Sequence, residues 1–468
     1  MRQPSVAEQT VLVCALIATA QMTWGVTVPV LPVYLDSYGI AVGLLGPLVA
    51  AFAVGRIIAN IPAGLALRRF PARAYLRVVL LGLALVTALT GLATTAGALI
   101  GFRLVAGVLG GAAVTVGFAL LVAGAPAGRR GAVMATATVV QMSTAGGGAL
   151  LGGAVVGVAG PAWTFAVAAV PVVAVLLWEV ARPAAHYWAS TAPAESRPPM
   201  ELAPSELAPT ELAPTEPAPT EPAPTEHPTT EPALPGGAPV GQYRGKSHDR
   251  VGRLWTKRFG GKRGARPEPV VKRSWLLLAL CAEAFATFFV RFAGEQGLVP
   301  VLAYDSGGLQ PFTLGLATAA GTVASLAAMP LIARWVDRGA RIALLVPAGM
   351  VGALAMLCLP LLHVPAGFAV AIVAYSLATS VIGVLPGVIT GDAYPASAAG
   401  GVIGLTRTAG DVGAAVGPLA VFAVAGFAGY EAACAVLAVL FLVAAAGLVT
   451  ALLRHRSRTA APVLAVAS

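Results

Sequence analysis

The chain has 468 residues, of which 57% are hydrophobic and 11% are charged. Soluble domains average about 25% charged residues, so this composition excludes an ordinary soluble fold and indicates a membrane protein. The net charge of +10 does not indicate nucleic-acid binding. The Lys and Arg residues lie in short loops and in one polar segment, as they do in the cytoplasmic parts of membrane proteins.

Twelve apolar runs, each long enough to cross a bilayer, follow one another along the chain. The first run is interpreted as helix 1, because it is too long for the apolar core of a signal peptide and has no clear cleavage site. The sequence predicts an all-α integral membrane protein with twelve transmembrane helices in two pseudo-symmetric bundles of six. The runs span residues 11–34, 42–65, 75–96, 99–123, 132–157, 163–181, 274–302, 311–334, 341–363, 366–389, 400–425 and 429–453.

A polar segment separates the two bundles, and it contains a five-residue repeat from Glu201 to Thr225. Each unit carries proline, which prevents a continuous helical hydrogen-bond ladder, and the segment has too little apolar surface to fold. The predicted domains are a first bundle at 1–182, a cytoplasmic disordered linker at 183–273, a second bundle at 274–455 and a cytoplasmic tail at 456–468. Within the linker, the basic stretch 244–266 is interpreted either as an amphipathic helix on anionic membrane lipid or as a solubilising segment.

The distribution of arginine between loops predicts the orientation. The loops after helices 2, 4 and 8 are basic, whereas the loops after the odd-numbered helices 1, 3, 5, 7, 9 and 11 contain no Lys or Arg. The positive-inside rule then places both termini and the linker in the cytoplasm. An Arg-, Ala-, Gly- and Val-rich composition favours a bacterial source, so the predicted location is the bacterial cytoplasmic membrane.

The two halves repeat one another in sequence. Helix 1 ends in a Pro32-Val-Tyr-Leu-Asp36-Ser segment, and helix 7 ends in a similar Pro300-to-Asp305 segment. The basic turn between helices 2 and 3 has a counterpart between helices 8 and 9. Halves of equal orientation joined by a linker imply a pseudo-twofold axis along the membrane normal, with a cavity at the seam between them.

These features resemble the major facilitator superfamily over all of the chain except the linker. That family's loop signature resembles G-x-L-a-D-R-x-G-R-R; in the first half Gly64, Arg69 and Arg73 match it, whereas Arg68 replaces the acid and Pro71 replaces the second glycine. An Arg-rich turn can clamp carboxylates and helix C-termini when the cytoplasmic side is shut. The residues assigned to this cytoplasmic gate are Gly64, Arg68, Arg69, Arg73, Asp337, Arg338, Gly339 and Arg341.

Glycines in helices 5 and 11 also resemble family motifs. Helix 5 is similar to the drug-antiporter motif G-P-x-x-G-G, with Ala149 in place of proline, and helix 11 has a G-x-x-x-G-P element. Glycines at this spacing let helices approach closely, which favours tight and movable packing. The alternative is ordinary packing in a Gly-rich protein. The residues concerned are Gly148, Gly152, Gly153, Gly413, Gly417 and Pro418.

Ionisable and polar residues in apolar helices are costly in lipid and are therefore candidates for the transport pathway. In helices 7 and 11 an arginine precedes an acid by four residues, which predicts the pairs Arg291–Glu295 and Arg407–Asp411. One of the three acids in these two helices is predicted to bind and release a proton, and permanent salt bridges that fix helix register are the alternative. Glu179, at a membrane boundary, is interpreted as solvated. The pathway candidates are Gln21, Trp24, Arg103, Glu283, Arg291, Glu295, Gln296, Arg407 and Asp411.

The resemblance implies a secondary active transporter that works by alternating access. The leading hypothesis is proton-coupled efflux of a drug or secondary metabolite by an antiporter, through a largely apolar cavity expected from helices 1 and 4. The alternatives are an uptake symporter or facilitator for a polar nutrient, and a non-transporting membrane sensor or scaffold. The sequence contains no phosphate-binding loop, metal cluster or nucleophile triad, so it predicts no enzyme activity, metal or other cofactor. The predicted partners are a small-molecule substrate, protons and membrane lipid, with the chain as a monomer.

Overall fold

The computed structural model describes residues 5–67, 69–125, 130–190, 274–394 and 396–464, and these residues form helices and turns without a strand. The predicted linker repeat, the basic stretch 244–266 and Arg68 lie outside the described residues. The helices of the first half are α1 Val6–Ser37, α2 Leu45–Ala66, α3 Ala72–Thr90, α4 Ala96–Gly124, α5 Arg130–Ala159 and α6 Pro161–Ala181.

The second half also contains six membrane-spanning helices. Its first, α7, consists of an α-helix Ser274–Val290, a π-helix Arg291–Leu298 and an α-helix Val299–Asp305. Then follow α8 Pro311–Asp337, α9 Arg341–Cys358 and α10 Pro365–Ala393. A final helix, Ala396–Leu464, is broken at Gly429, and we name its two parts α11 (396–428) and α12 (430–464).

The predicted fold is confirmed. In the described residues, 11 helices are long and apolar enough to cross a membrane, and the last of these, Gly401–Arg454, comprises two crossings separated by Gly429. Gly160, between α5 and α6, and Gly429, between α11 and α12, occupy equivalent turns with φ values of 83° and 86°. Side chains are strained at such positive φ angles, so glycine ends one helix and starts the next at both places.

Equivalent helices pack through equivalent glycines in the two halves. In the first half, α5 lies against α1, where Gly148 and Gly152 approach the backbone of Met22 and Val26. In the second half, α11 lies against α7, where Gly413 and Gly417 approach the backbone of Phe285 and Phe289. A methyl group at any of these four glycines would meet backbone atoms of the facing helix. The repeat recognised in the sequence is therefore also a repeat of helix packing.

Gly152→Ala is expected to destabilise the protein, whereas Gly147→Ala on the same helix is not. A Cβ at position 152 would lie 2.5 Å from the Val26 carbonyl oxygen, whereas one at position 147 would have no neighbour within 4 Å. Overpacking of this kind costs about 1–3 kcal/mol, and alanine otherwise favours a helix over glycine by about 1 kcal/mol. Thermal unfolding of the detergent-purified variants measures the difference. Equal midpoints would show that α1 and α5 can separate without cost.

The two halves contact each other at one end of the bundle. We call the end that carries the α2–α3 and α8–α9 loops the basic end, and the other the opposite end. At the opposite end, the Tyr304 hydroxyl donates a hydrogen bond of 2.5 Å to the Pro29 carbonyl oxygen. A Cβ at Gly46, near the start of α2, would lie 2.8 Å from the Pro418 carbonyl oxygen. These contacts close the seam between α1 and α7 and between α2 and α11 at that end.

At the basic end of the first half, Glu179 is buried rather than solvated, so the interpretation from sequence is wrong. Its side chain is only 1% exposed, and its two carboxylate oxygens accept from Arg73 Nε at 2.8 Å and Arg77 Nε at 2.6 Å. The interpretation failed because both arginines lie one turn apart on α3, which packs against α6. In this arrangement Arg73, a predicted gate residue, binds a carboxylate of its own half.

A short helix, Ala185–Ser190, follows α6 and docks on the same end of the first half. His186 Nε2 lies 2.9 Å from the Gly124 carbonyl oxygen at the end of α4, and the Tyr187 hydroxyl lies 2.7 Å from the Thr10 hydroxyl at the start of α1. Tyr187 is completely buried. The described part of the first half therefore extends past residue 182 and fixes the point from which the linker departs.

Candidate functional site

A cavity with an empty volume of about 580 Å³ lies between the two halves, near the middle of the helices. The first half contributes α1 and α5, and the second half contributes α7, α8 and α10. The first-half wall is apolar apart from the indole N–H, and it consists of Trp24, Gly25, Val28, Met142, Ala145 and Gly146.

The second-half wall is polar. Helix α7 presents Arg291, Glu295 and Gln296 to the cavity. Five hydroxyl groups complete this wall, from Thr318, Thr322, Ser325, Ser376 and Ser380. The cavity is therefore amphipathic, with its polar groups on the second-half wall. The sequence led us to expect a largely apolar cavity from helices 1 and 4; α1 contributes to the described lining, whereas no residue of α4 belongs to it.

The predicted Arg291–Glu295 pair is formed, and it lies within the π-helix of α7. Arg291 Nε donates to Glu295 Oε2 at 3.1 Å, and the Thr379 hydroxyl donates to Glu295 Oε1 at 3.2 Å. Short π-helical segments often occur at functional sites, because the wider turn changes the direction of its side chains. Here Gly294, within the same turn, lets the Tyr375 hydroxyl approach, since a Cβ would lie 2.8 Å from that oxygen.

Two N–H donors at the cavity have no hydrogen-bond partner among the described residues. They are Trp24 Nε1 and Gln296 Nε2, on side chains that belong to residues only 8% and 3% exposed. Buried donors are almost always satisfied in folded proteins, because an unsatisfied one costs about 1–3 kcal/mol. Both residues line the cavity, so a molecule bound there is well placed to accept from them.

A second polar network crosses the seam between α2 and α11. Arg56 Nη2 donates to Asp411 Oδ1 at 3.3 Å, and Asn60 Nδ2 donates to Asp411 Oδ2 at 2.8 Å. The Thr115 hydroxyl of α4 donates to Asn60 Oδ1 at 3.2 Å. This network connects an acid of the second half to three side chains of the first half.

The predicted Arg407–Asp411 pair is not among the described ion pairs. The guanidinium of Arg407 instead lies 5.8 Å from the centre of the Phe118 ring on α4. The prediction failed because Asp411 is buried against α2, whereas Arg407, one turn nearer the basic end, is exposed and faces α4. Helical spacing identified residues on one side of α11 but did not identify their partners on other helices.

The remaining pathway candidates lie away from the cavity lining. Arg103 is buried, and its guanidinium lies 4.7 Å from the centre of the Phe52 ring on α2. Glu283 is also buried, and its Oε1 accepts from the Thr287 hydroxyl at 3.3 Å. The structure therefore brings Trp24, Arg291, Glu295 and Gln296 together at the cavity, and leaves Gln21, Arg103 and Glu283 outside its lining.

The predicted gate residues that the structure describes lie at the basic end, in the turns between helices and in the adjoining helix ends. Gly64 is in the last two turns of α2, and Arg69 lies in the turn that follows. In the second half, α8 ends at Asp337 and α9 begins at Arg341, with Gly339 at a φ of 82° between them. Their role in closing the cytoplasmic side stays a prediction.

Comparison with known proteins identifies the family. The model of the Major Facilitator Superfamily matches residues 13–290 and 284–467. The crystal structure of the human organic anion transporter MFSD10 (TETRAN) is similar with a TM-score of 0.59 and 17% identity, covering 95% of this chain and 100% of that one. The structure of the nucleoside transporter NupG has a TM-score of 0.63 and 9% identity, covering 95% and 99%.

At these identities the two structures show the fold alone, and no curated protein sequence gives a significant match. The family model, in contrast, covers nearly the whole chain in two consecutive segments, the first over the first half and the linker and the second over the second half. With the twelve crossings and the repeated halves described above, this match establishes that the chain belongs to the Major Facilitator Superfamily.

Proposed function

We propose that the protein is a proton-coupled secondary transporter, which carries a small organic compound through the cavity between its two halves. The observation that carries this proposal is the position of the Arg291–Glu295 pair. Among the acids of the described residues, Glu295 is the one that lines the cavity. A cargo molecule and the coupling proton can therefore reach the same pair of side chains.

Alternating access follows from the way the halves touch. The contacts between the halves at Tyr304 and Gly46 close the opposite end. The small residues of α5 and α8 allow these two helices to pack closely and to move relative to each other. With the basic end in the cytoplasm of a bacterial cell, as the positive-inside rule predicts, these contacts close the side that faces away from the cytoplasm. Movement of one half against the other would then close the basic end and open the opposite one.

Glu295 couples this movement to a proton through its partner. A carboxylate next to a guanidinium favours its ionised form, whereas a carboxyl group that has lost its cation in a poorly hydrated site favours the protonated form. Cargo that changes the Arg291–Glu295 contact therefore changes the proton occupancy of the site. Cargo and proton can be coupled in two ways. If they compete for Glu295, they cross the membrane in opposite directions, as in the efflux hypothesis. If the cargo binds Arg291, cargo and proton cross in the same direction.

The test is transport by the purified full-length protein in liposomes that contain a pH-sensitive dye. A panel of amphipathic and polar solutes is added outside, with and without an imposed pH gradient. We expect some solutes to change the internal pH and to accumulate only when the gradient is present. Solute flux that neither moves protons nor responds to the gradient would identify a facilitator and contradict the proposal.

A further inference from the structure

The geometry points to an organic anion as the cargo, a carboxylate joined to an apolar body, which moves in the same direction as the proton. This inference rests on the proposed function and specifies its substrate class and the sign of its coupling. Three features of the seam and its cavity support it: a surplus of positive charge at the seam, unsatisfied N–H donors on residues of the cavity wall, and an apolar wall of the cavity.

The seam between the halves has more cations than acids in its described part. Arg56 is paired with Asp411, and Arg291 is paired with Glu295. Arg56 also lies within electrostatic range of Arg407 and Arg291, and Arg407 contacts an aromatic ring across the seam. Three guanidinium groups thus face two carboxylates. This surplus attracts an anionic cargo, whereas a cationic cargo would increase the repulsion.

The unsatisfied donors define where an anionic group would bind. Trp24 and Gln296 both line the cavity, and the Trp24 indole N–H and the Gln296 amide nitrogen have no described partner. Arg291, which precedes Gln296 in the same π-helix, adds a guanidinium. The polar groups of these three side chains are N–H donors, apart from the Gln296 carbonyl. A carboxylate provides several acceptor sites and can accept from all three, whereas an ammonium group has no acceptor for any of them.

The apolar first-half wall of the cavity fits the apolar body of such an anion. Val28, Met142 and Ala145 are apolar, and the Trp24 ring presents a flat surface beside them. Phe292 packs behind Trp24 with ring centres 5.7 Å apart, so the indole has a fixed position. An apolar or aromatic body on this wall and a carboxylate on the other would match the amphipathic character of the cavity.

The sign of the coupling follows from the charges. A carboxylate that binds Arg291 separates it from Glu295, and the freed Glu295 carboxylate takes up the coupling proton from the bulk solution. Thr379 and Tyr375 on α10 and Arg56 on α2 are other polar or titratable groups near this pair, and Cys434 on α12 lies near Tyr375. Because the cargo brings one negative charge and the proton one positive charge, the loaded cavity has the same net charge as the empty one. Anion and proton therefore bind cooperatively and cross together, so exchange of protons for cargo is not expected.

Three probes with the same phenylpropyl skeleton test this assignment: phenylpropionate, its amide phenylpropionamide, and the amine phenylpropylamine. Binding is measured by isothermal titration of the purified full chain, and uptake is measured in liposomes with an internal pH dye. We expect phenylpropionate to bind about tenfold or more tightly than the amide, because a charge-assisted hydrogen bond to Arg291 is lost in the amide. Its uptake should acidify the liposome interior beyond a protein-free control.

Two variants separate this site from a nonspecific one. Trp24→Phe keeps the ring but removes the N–H, and should weaken phenylpropionate binding by about three- to tenfold, whereas Trp163→Phe at an exposed position should not. Glu295→Gln should keep or strengthen phenylpropionate binding, since Arg291 is then free. Preferred binding of the amine, equal binding of the acid and the amide, or loss of phenylpropionate binding in Glu295→Gln would each overturn the inference.

The outcomes also separate this inference from the proposed function. Proton-driven movement of the amine alone would keep the transporter proposal and reject the anionic cargo. Selective binding of phenylpropionate without a proton flux would keep the anionic cargo and reject proton coupling.

Discussion

Glu295→Gln is expected to abolish transport driven by a proton gradient while leaving cargo exchange across the membrane measurable. Glutamine has nearly the shape of protonated glutamate, so it can still accept from the Thr379 hydroxyl, which lies 3.2 Å from Glu295 Oε1. It cannot bind or release a proton, however, and it leaves Arg291 without the carboxylate that lies 3.1 Å from its Nε. The cargo-loaded protein can then alternate, but no proton gradient can drive it.

Two assays on the same liposomes measure this separation. Accumulation under an imposed pH gradient should fall to the protein-free level, a loss of at least about a hundredfold if the carboxyl is the coupling group. Equilibrium exchange of labelled for unlabelled cargo should stay within about threefold of the unchanged protein. The matched control is Glu431→Gln, the same chemical change at an exposed acid near the start of α12. Driven accumulation that survives in Glu295→Gln would make the Arg291–Glu295 pair structural.

The fold could be predicted from sequence because lipid imposes it. Each crossing needs an apolar helix of a minimum length, so twelve runs were visible, and arginine marks alternate loops. The repeat between the halves was visible at Asp36 and Asp305, and the glycines of helices 5 and 11 indicated the close α1–α5 and α7–α11 packing. The change to a π-helix at Arg291 was not visible, because it depends on packing around Gly294 rather than on an apolar period.

The site could be predicted only in part, because its contacts join distant parts of the chain. Trp24, Arg291, Glu295 and Gln296 were found as polar residues within apolar helices, and the structure places them together. The hydroxyl residues of the second-half wall were missed, although their spacing of four and three residues on α8 gives one polar helix face. The partner of Asp411 could not be derived, since Arg56 lies 355 positions away and helical spacing relates only near neighbours.

Asp411→Asn is the second change from which we expect a large effect, and the effect is on stability. The substitution keeps the shape and an oxygen that can accept from Asn60, but it removes the charge that faces Arg56 at 3.3 Å. Breaking a buried ion pair by neutralising one partner costs about 3–5 kcal/mol, because the other charge stays without compensation. The Arg56 side chain is 19% exposed, so a value near the lower end of this range is expected.

A double variant shows whether the charge pair is the cause. Arg56→Met removes the uncompensated cation and keeps a side chain of similar length, so Arg56→Met with Asp411→Asn should recover more than half of the lost stability. Thermal unfolding of the detergent-purified proteins measures both, with Asp305→Asn at an exposed position as the control. A double variant no more stable than Asp411→Asn alone would contradict the charge explanation.

Transport by the double variant then separates the two roles that the sequence left open for Asp411. The pair joins α2 to α11 across the seam, so it is stretched or broken whenever the halves rock. If it only fixes the register of these helices, the neutral double variant should still accumulate cargo with a proton gradient. If Asp411 carries the proton, that accumulation should disappear while exchange continues, as expected for Glu295→Gln. Retained accumulation in the double variant, together with its loss in Glu295→Gln, would assign coupling to the acid that lines the cavity.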